Sequence, residues 1–286
     1  IWSDMYFKLA GKSESYYDLP EDYQWKEEEK APEELTLVYW DYYSHDESIY
    51  RKMVRLHQGL ASHLVFAGGG WIWNGLSPNY SRATDTTRKA MHVLHEKGLR
   101  QAFCTLWGDN GSETPQTAGL YSAILFSEFG FHEEVDDALL NSRLLFHTGV
   151  SLADWMLLDR LDAVPGTAPD NRRAANPSKM LFYQDPLLGL FDAQTHHLDL
   201  EQWYRRLTED LEQALPRIPD RFRSLFLYYY QLASLLSRKA TLGQKLTGAY
   251  LAGNRNALSL LSEEVLPSCI EDSRAVLALR EKLWMD

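Results

Sequence analysis

The stretch LTLVYWDYYSHDESIYRKMVRLHQGLASHLVFAGGGWIW, residues 35–73, reads as strand, helix, strand. Its outer segments, LTLVYWDYY and HLVFAGGGWIW, are rich in β-branched and aromatic residues and are bounded by Asp, Gly and Asn. The segment between them places Ile49, Met53, Leu56 and Leu60 at helical spacing on one face. A helical crossover returns the chain to the same end of a sheet, so the two strands are expected to run parallel.

The same unit recurs on both sides. Downstream, ATDTTRKAMHVLHEKGLR predicts a helix with Ala90, Met91 and Leu94 inside and Gly98 as a stop, and RQAFCTLWG a strand. Upstream, IWSDMYF at residues 1–7 reads as a further strand. Strands therefore begin roughly every 30 residues, the length of a βαβ unit. GKSESYYDLPEDYQWKEEEKAPEE, between the first two strands, is polar, acidic and proline-punctuated, and reads as a long loop whose large apolar residue is Trp25. TAGLYSAILFSEFGF predicts a closing helix. From about Glu133 the strand signal stops. There, DLEQWYRRLTEDLEQALPRI sets Leu200, Trp203, Leu207 and Leu211 on one stripe capped by Asp199, and residues 221–253 read as one long helix ending near Gly253. Pro165 to Lys179 reads as a loop. The expected domains are 1–132, α/β, and 133–286, all-α.

Composition narrows the function classes. The 286 residues, 45% hydrophobic and 24% charged, suit a globular chain with a buried core. A net charge of -11 disfavours nucleic acid and anionic membrane as partners, because their phosphates would be repelled. Cys104 and Cys269 build neither a disulfide framework nor a zinc spacing and are expected as buried thiols. His92 and His95, at i and i+3, lack a third ligand, so no metal is expected. Asp46 and Glu47 read as helix-capping acids, and His196 and His197 as surface residues. AGGGWIWNG lacks the dinucleotide spacing, and no nucleophile elbow occurs.

Each expected strand ends in aromatics, three of the four beside an acid: Trp2 and Asp4, Tyr39 and Asp41, Trp71 and Trp73, Trp107 and Asp109. In a parallel α/β sheet the ligand sits at these carboxyl ends. Indoles stack on the C–H faces of a pyranose and carboxylates accept from its hydroxyl rim, so the repetition points to a sugar site. Taken singly, each cluster also fits an indole filling a core and an aspartate capping a loop.

IWSDMYF, VYWDYYSHD, AGGGWIWNGLSPNY and TLWGDNGSE, in this order, resemble the last four strands of the catalytic barrel of glycoside hydrolase family 20, over Ile1 to Phe131. The resemblance implies the second half, strands 5–8, of a TIM-type (β/α)8 barrel followed by a helical C-terminal domain. It implies hydrolysis of terminal β-linked GlcNAc or GalNAc, in which the substrate's acetamido oxygen attacks C1. By this likeness Tyr39 hydrogen-bonds the acetamido carbonyl, and Asp41 binds outer hydroxyls. Trp2 and Trp107 enclose the acetamido methyl and floor the ring, and Asp109, where many relatives have Glu, takes O4 or O6. Trp73 stacks on the aglycone side, Trp25 is a candidate third wall, and Asp4 supports from behind. The family's catalytic Asp–Glu pair would precede Ile1, so the chain is expected to be a fragment that is inactive alone. No cofactor is implied. Half a barrel leaves sheet edges open, so a homodimer or pairing with the missing half is expected. The lack of a disulfide framework fits a cytoplasmic enzyme, whereas a leader ahead of Ile1 would make it secreted. A non-catalytic carbohydrate-binding or assembly module, and a helical domain acting as an interaction surface, are the alternatives.

Overall fold

The computed structural model describes residues 1–12, 16–167 and 171–285. They form two compact units that interleave along the chain. The first comprises Ile1–Gly70, Arg82–Trp107 and Ser122–Leu140; the second comprises Trp71–Ser81, Gly108–Tyr121 and Asn141–Asp286.

The first unit is α/β. Strands β1 (Thr36–Trp40), β2 (His63–Gly69) and β3 (Ala102–Thr105) form a parallel sheet in the order β1-β2-β3. Register sets Trp40 beside Ala67 and Ala67 beside Phe103, so these side chains share one face with Val38 and Val65. Leu37, Tyr39, Leu64 and Phe66 occupy the other face, where Tyr39 lies 4.5 Å from the His57 ring of helix α2 (Glu47–Leu60). Three strands form among the described residues where four were expected. Trp2 makes one isolated parallel bridge to Val38, flanked by Ser3 N–H to Val38 O at 3.0 Å and Val38 N–H to Ile1 O at 2.8 Å. Then helix α1 (Asp4–Gly11) replaces the expected strand. The reason is burial at helical period: Ser3 and Phe7, four residues apart, are both fully buried, with Phe7 edge-on to Trp25 at 5.2 Å.

Helix α2 opens as expected, with the Asp46 carboxylate accepting from Ser48 N–H at 2.9 Å. Its buried face differs: Tyr50, Val54 and His57 join Met53, Leu56 and Leu60, whereas Ile49 is exposed. Helix α3 (Tyr80–Glu96) begins earlier than expected and ends before Gly98, whose φ of +69° supplies the left-handed stop. Helix α4 (Leu120–Glu128) contributes Phe126, which packs so closely on β2 that a Cβ at Gly68 would lie 2.7 Å from its ring. This close approach is why glycine occupies the strand end. Helix α5 (Asp137–Thr148) follows.

The second unit is all-α. It contains α6 (Leu152–Asp159), α7 (Pro177–Tyr183), α8 (Asp192–Thr195), α9 (Leu200–Ala214), α10 (Asp220–Lys239), α11 (Leu242–Leu251), α12 (Arg255–Leu260), a π-helical turn over Leu261–Val265, and α13 (Leu266–Met285). Helix α10 packs on both α9 and α13. Asp199 caps α9 by accepting from Gln202 N–H at 3.2 Å, and Leu200, Leu207 and Leu211 of the expected stripe are buried with Tyr204, whereas Trp203 is only half-buried. The single helix expected over 221–253 is broken after Lys239. The break brings the α11 backbone so near Pro186 that a Cβ at Gly243 would lie 2.4 Å from its carbonyl oxygen. Gly253, at φ +61°, ends the run. Helix α7 takes the end of the expected Pro165–Lys179 loop. Trp155, fully buried, meets Phe222, Phe226 and Tyr80 edge-on at 5.7, 6.0 and 6.1 Å and centres the core. Both cysteines are free thiols; Cys269 is buried, but Cys104 is only half-buried because β3 lies at the sheet edge. Among the described residues no helix is long and apolar enough to cross a membrane.

Candidate functional site

Alternation along β1 decides what its end displays. Leu37 and Tyr39 face the helices; Val38 and Trp40 face away, alongside Trp2 through its bridge to Val38 and Phe103 across the register. Beyond β3, Trp107 lies 5.9 Å from Trp2 at an interplanar angle of 48°. Trp2 and Trp107 line a cavity of about 510 Å³, with Ile1, Asp4, Met5, Tyr6, Trp40 and Tyr42 completing its walls. The volume lies within the range of small-molecule sites. The Trp107 Nε1–H donates to the Tyr42 hydroxyl at 3.0 Å, and Trp40 Nε1–H to Asp4 Oδ1 at 3.2 Å. Tyr42 is tilted 32° to the Trp40 ring at 5.6 Å. The cavity thus combines indole and phenol faces with one carboxylate, an arrangement that offers apolar contact and a charged acceptor to one ligand.

Tyr39 and Asp41 do not line this cavity. Tyr39 is fully buried and its hydroxyl donates to Asp41 Oδ2 at 3.0 Å. Burial first, then the Asp41 charge, hold the phenol well above its ordinary pKa. Asp41 also accepts from the amides of Tyr43 and Ser44 at 2.9 and 3.0 Å and from the Ser44 hydroxyl at 2.6 Å. Both carboxylate oxygens are therefore engaged in closing the turn that presents Tyr42. Trp25 packs on Phe7 and Tyr23 and donates to Leu56 O at 2.8 Å, away from the cavity walls.

Behind the cavity, Ser3 is held by His57. The His57 Nδ1 lies 2.7 Å from Met53 O, and a carbonyl only accepts, so Nδ1 carries the proton. Nε2 lies 2.7 Å from the Ser3 hydroxyl, whose one proton also points to Val38 O at 2.9 Å. Burial drives the imidazole pKa down to about 3.

In the second unit Trp73 stacks on Trp71 at 4.7 Å and 26°, both buried. Asp109 is exposed at the start of a one-turn 3₁₀ helix, Asp109–Gly111. Among the histidines, His92 pairs with Glu47 at 2.9 Å and His95 Nε2 donates to Phe129 O at 3.0 Å; no group of three metal-ligating residues occurs among the described residues. His196 and His197 are exposed.

Sequence reasoning missed Trp40, Tyr42, Ser3 and His57. Trp40 and Tyr42 stand inside the YWDYY motif, and period-two alternation pairs them with each other as readily as Tyr39 with Asp41. Nothing in the local pattern says which pair turns from the helices. Residues 153–286 match the family model described as the Glycoside Hydrolase 20C C-terminal domain. No curated protein matches the chain.

Proposed function

We propose that this chain, which belongs to glycoside hydrolase family 20 through the C-terminal domain formed by its residues 153–286, is part of a retaining β-N-acetylhexosaminidase that removes terminal β-linked GlcNAc or GalNAc. Catalysis is substrate-assisted: the acetamido oxygen attacks C1, and an Asp–Glu pair outside this chain orients it and protonates the leaving group. The chain supplies sugar-pocket walls. The observation that carries this reading is the aromatic cavity, where three indoles and a carboxylate converge from separate segments of the sheet's helix-free face. That face also leaves Phe103 41% exposed and Val38 and Val65 half-buried, the apolar surface that further strands of a closed barrel would cover.

In this reading Trp2 and Trp107 enclose the acetamido methyl and ring face. Tyr42, held by the Trp107 indole, presents the nearest hydroxyl. Tyr39 and Asp41 act through the turn they close, which fixes Tyr42, while Asp109 takes O4 or O6 and Trp73 serves the aglycone side as the family likeness implies. Pairing with the missing half, or with a second copy, closes the sheet.

Titrating the chain with GlcNAc tests the reading. Tryptophan emission should change saturably, and Trp107→Ala should weaken binding roughly tenfold or more, in line with about 1–3 kcal/mol for a stacked ring. A chromogenic GlcNAc glycoside should not be turned over by the chain alone. Binding indifferent to Trp107→Ala, or no binding at all, refutes the proposal.

A further inference from the structure

Helices α9 and α10 carry matching polar stripes beside their buried faces. Glu201, Arg205, Thr208 and Glu209 lie at offsets that share one side of α9. The stripe of α10, from Tyr230 through Ser234 and Ser237 to Arg238, repeats those offsets. With Lys245 of α11 and Ser268 of α13 they enclose a cavity of about 470 Å³, within the range of small-molecule sites. The π-helical turn Leu261–Val265 brings Glu264 and Val265 to its wall, and turns of this kind gather at functional sites.

Some of these groups hold one another in place. Arg205 Nη2 donates to Glu201 Oε1 at 2.6 Å and Lys245 Nζ to Glu201 Oε2, so both oxygens of that carboxylate are engaged. Arg238 Nη1 donates to Asp272 Oδ2 at 2.5 Å and to Ser234 Oγ at 3.0 Å. Three hydroxyls give their protons to their own helices. Thr208 donates to Tyr204 O and Ser237 to Ser234 O, both at 2.7 Å, and Ser268 to Glu264 O at 2.8 Å. Each keeps oxygen lone pairs for a proton from outside. The carboxylates of Glu209 and Glu264 are exposed and form no hydrogen bond or ion pair among the described residues, and neither does the half-buried Tyr230 hydroxyl.

Charge selects the ligand class. In a chain of net charge -11, this lining balances three cations, Arg205, Arg238 and Lys245, against three acids, Glu201, Glu209 and Glu264. An anion entering the cavity meets Glu209 and Glu264, and a cation meets the three basic side chains. A neutral, hydroxyl-rich ligand escapes both repulsions. Its hydroxyls donate to the two carboxylates and the hydroxyl oxygens, and accept from the remaining guanidinium and ammonium N–H groups. Tyr230 and Val265 offer apolar contact for the C–H face of a sugar ring. We propose that this cavity is a second carbohydrate site, built entirely within the helical domain, that takes a neutral oligosaccharide. The site stands on the lining of the second unit; only the choice of N-acetylglucosamine-containing probes rests on the hexosaminidase reading.

The experiment titrates the chain carrying Trp107→Ala, which weakens the aromatic cavity of the first unit, with N,N′-diacetylchitobiose and N-acetyllactosamine in a calorimeter. At least one should bind saturably. Adding Glu209→Gln or Glu264→Gln should weaken that binding about fivefold, because an amide accepts less strongly than a carboxylate, and adding Tyr230→Ala about tenfold. Glu209 and Glu264 are exposed and unbonded, so their amide variants keep the fold, and an unchanged urea midpoint checks it. Spermidine and inorganic phosphate are the charged controls, and tighter binding of either than of the sugars overturns the assignment to a neutral ligand. Failure of both sugars to bind the Trp107→Ala chain, or binding that all three added substitutions leave unchanged, overturns the site. Sugar binding to the parent that is lost with Tyr230→Ala but indifferent to Trp107→Ala supports this site and refutes the reading of the aromatic cavity.

Discussion

Acidification should open the first unit at His57. The ring is fully buried, 4.4 Å from Phe7 and 4.5 Å from Tyr39, with Nδ1–H on Met53 O and Nε2 2.7 Å from the Ser3 hydroxyl. Protonating Nε2 places a charge in a fully buried ring that no carboxylate bonds. Burial accordingly lowers the pKa from 6.5 to about 3. A folded-state pKa below the unfolded one means that the stabilisation is complete above the unfolded value and is lost as pH falls from 6.5 through about 3. Near pH 4.5 the unfolded chain has taken up the proton and the folded chain has not, which costs on the order of 3 kcal/mol. That is a large share of a domain's stability of about 5–15 kcal/mol. Ser3 adjoins Trp2, so the loss should reach the cavity wall. The assay is urea unfolding followed by tryptophan emission at about pH 7 and pH 4.5, for the parent and for His57→Gln, which keeps a donor and an acceptor but does not titrate. The variant should be the less stable protein at pH 7 and lose about 3 kcal/mol less on acidification. Equal losses in the two proteins, or a His57 ring resonance that titrates near 6.5 in the folded state, would refute the reasoning.

Three further outcomes are expected. Asp162 is buried and accepts Ser178 N–H at 2.8 Å, and burial raises its pKa to about 7, with Asp159 adding to the shift. A raised folded pKa gives stability that is complete below 3.8 and lost as pH rises through about 7, so Asp162→Asn should stabilise more near pH 8, by about 4 kcal/mol, than near pH 5, by about 2 kcal/mol; equal gains in urea melts at the two pH values contradict this. Gly68→Ala should cost about 1–3 kcal/mol by driving a methyl into Phe126, whereas Gly98→Asn, left-handed and with open space around it, should leave the melting temperature nearly unchanged.

Local chemistry made much of this legible in the sequence. The strands over 36–40, 63–69 and 102–105, their parallel direction and the helices between them follow from period-two and period-3.6 patterns joined by crossovers of fixed length. The caps at Asp46 and Asp199 and the stop at Gly98 follow because a few atoms within one turn satisfy them. The likeness to glycoside hydrolase family 20 was carried by motifs within residues 1–131, whereas the family model matches residues 153–286, which read in the sequence only as helices.

Only the tertiary structure decided which face of β1 meets the helices. IWSDMYF alternates well enough for a strand, but a strand needs a partner along its length, and burying Ser3 and Phe7 against His57 and Trp25 favours a helix after one bridge. YWDYY offers two alternating pairs of equal chemistry, and contacts with residues far along the chain, His57 and Phe66, draw Tyr39 inward and leave Trp40 and Tyr42 at the cavity. Lys179 Nζ donates to Asn110 O and Arg280 Nη2 to Ser112 O, joining positions 69 and 168 residues apart. A sequence pattern records the spacing of neighbours along the chain; which distant side chains bury a given face is settled by packing alone.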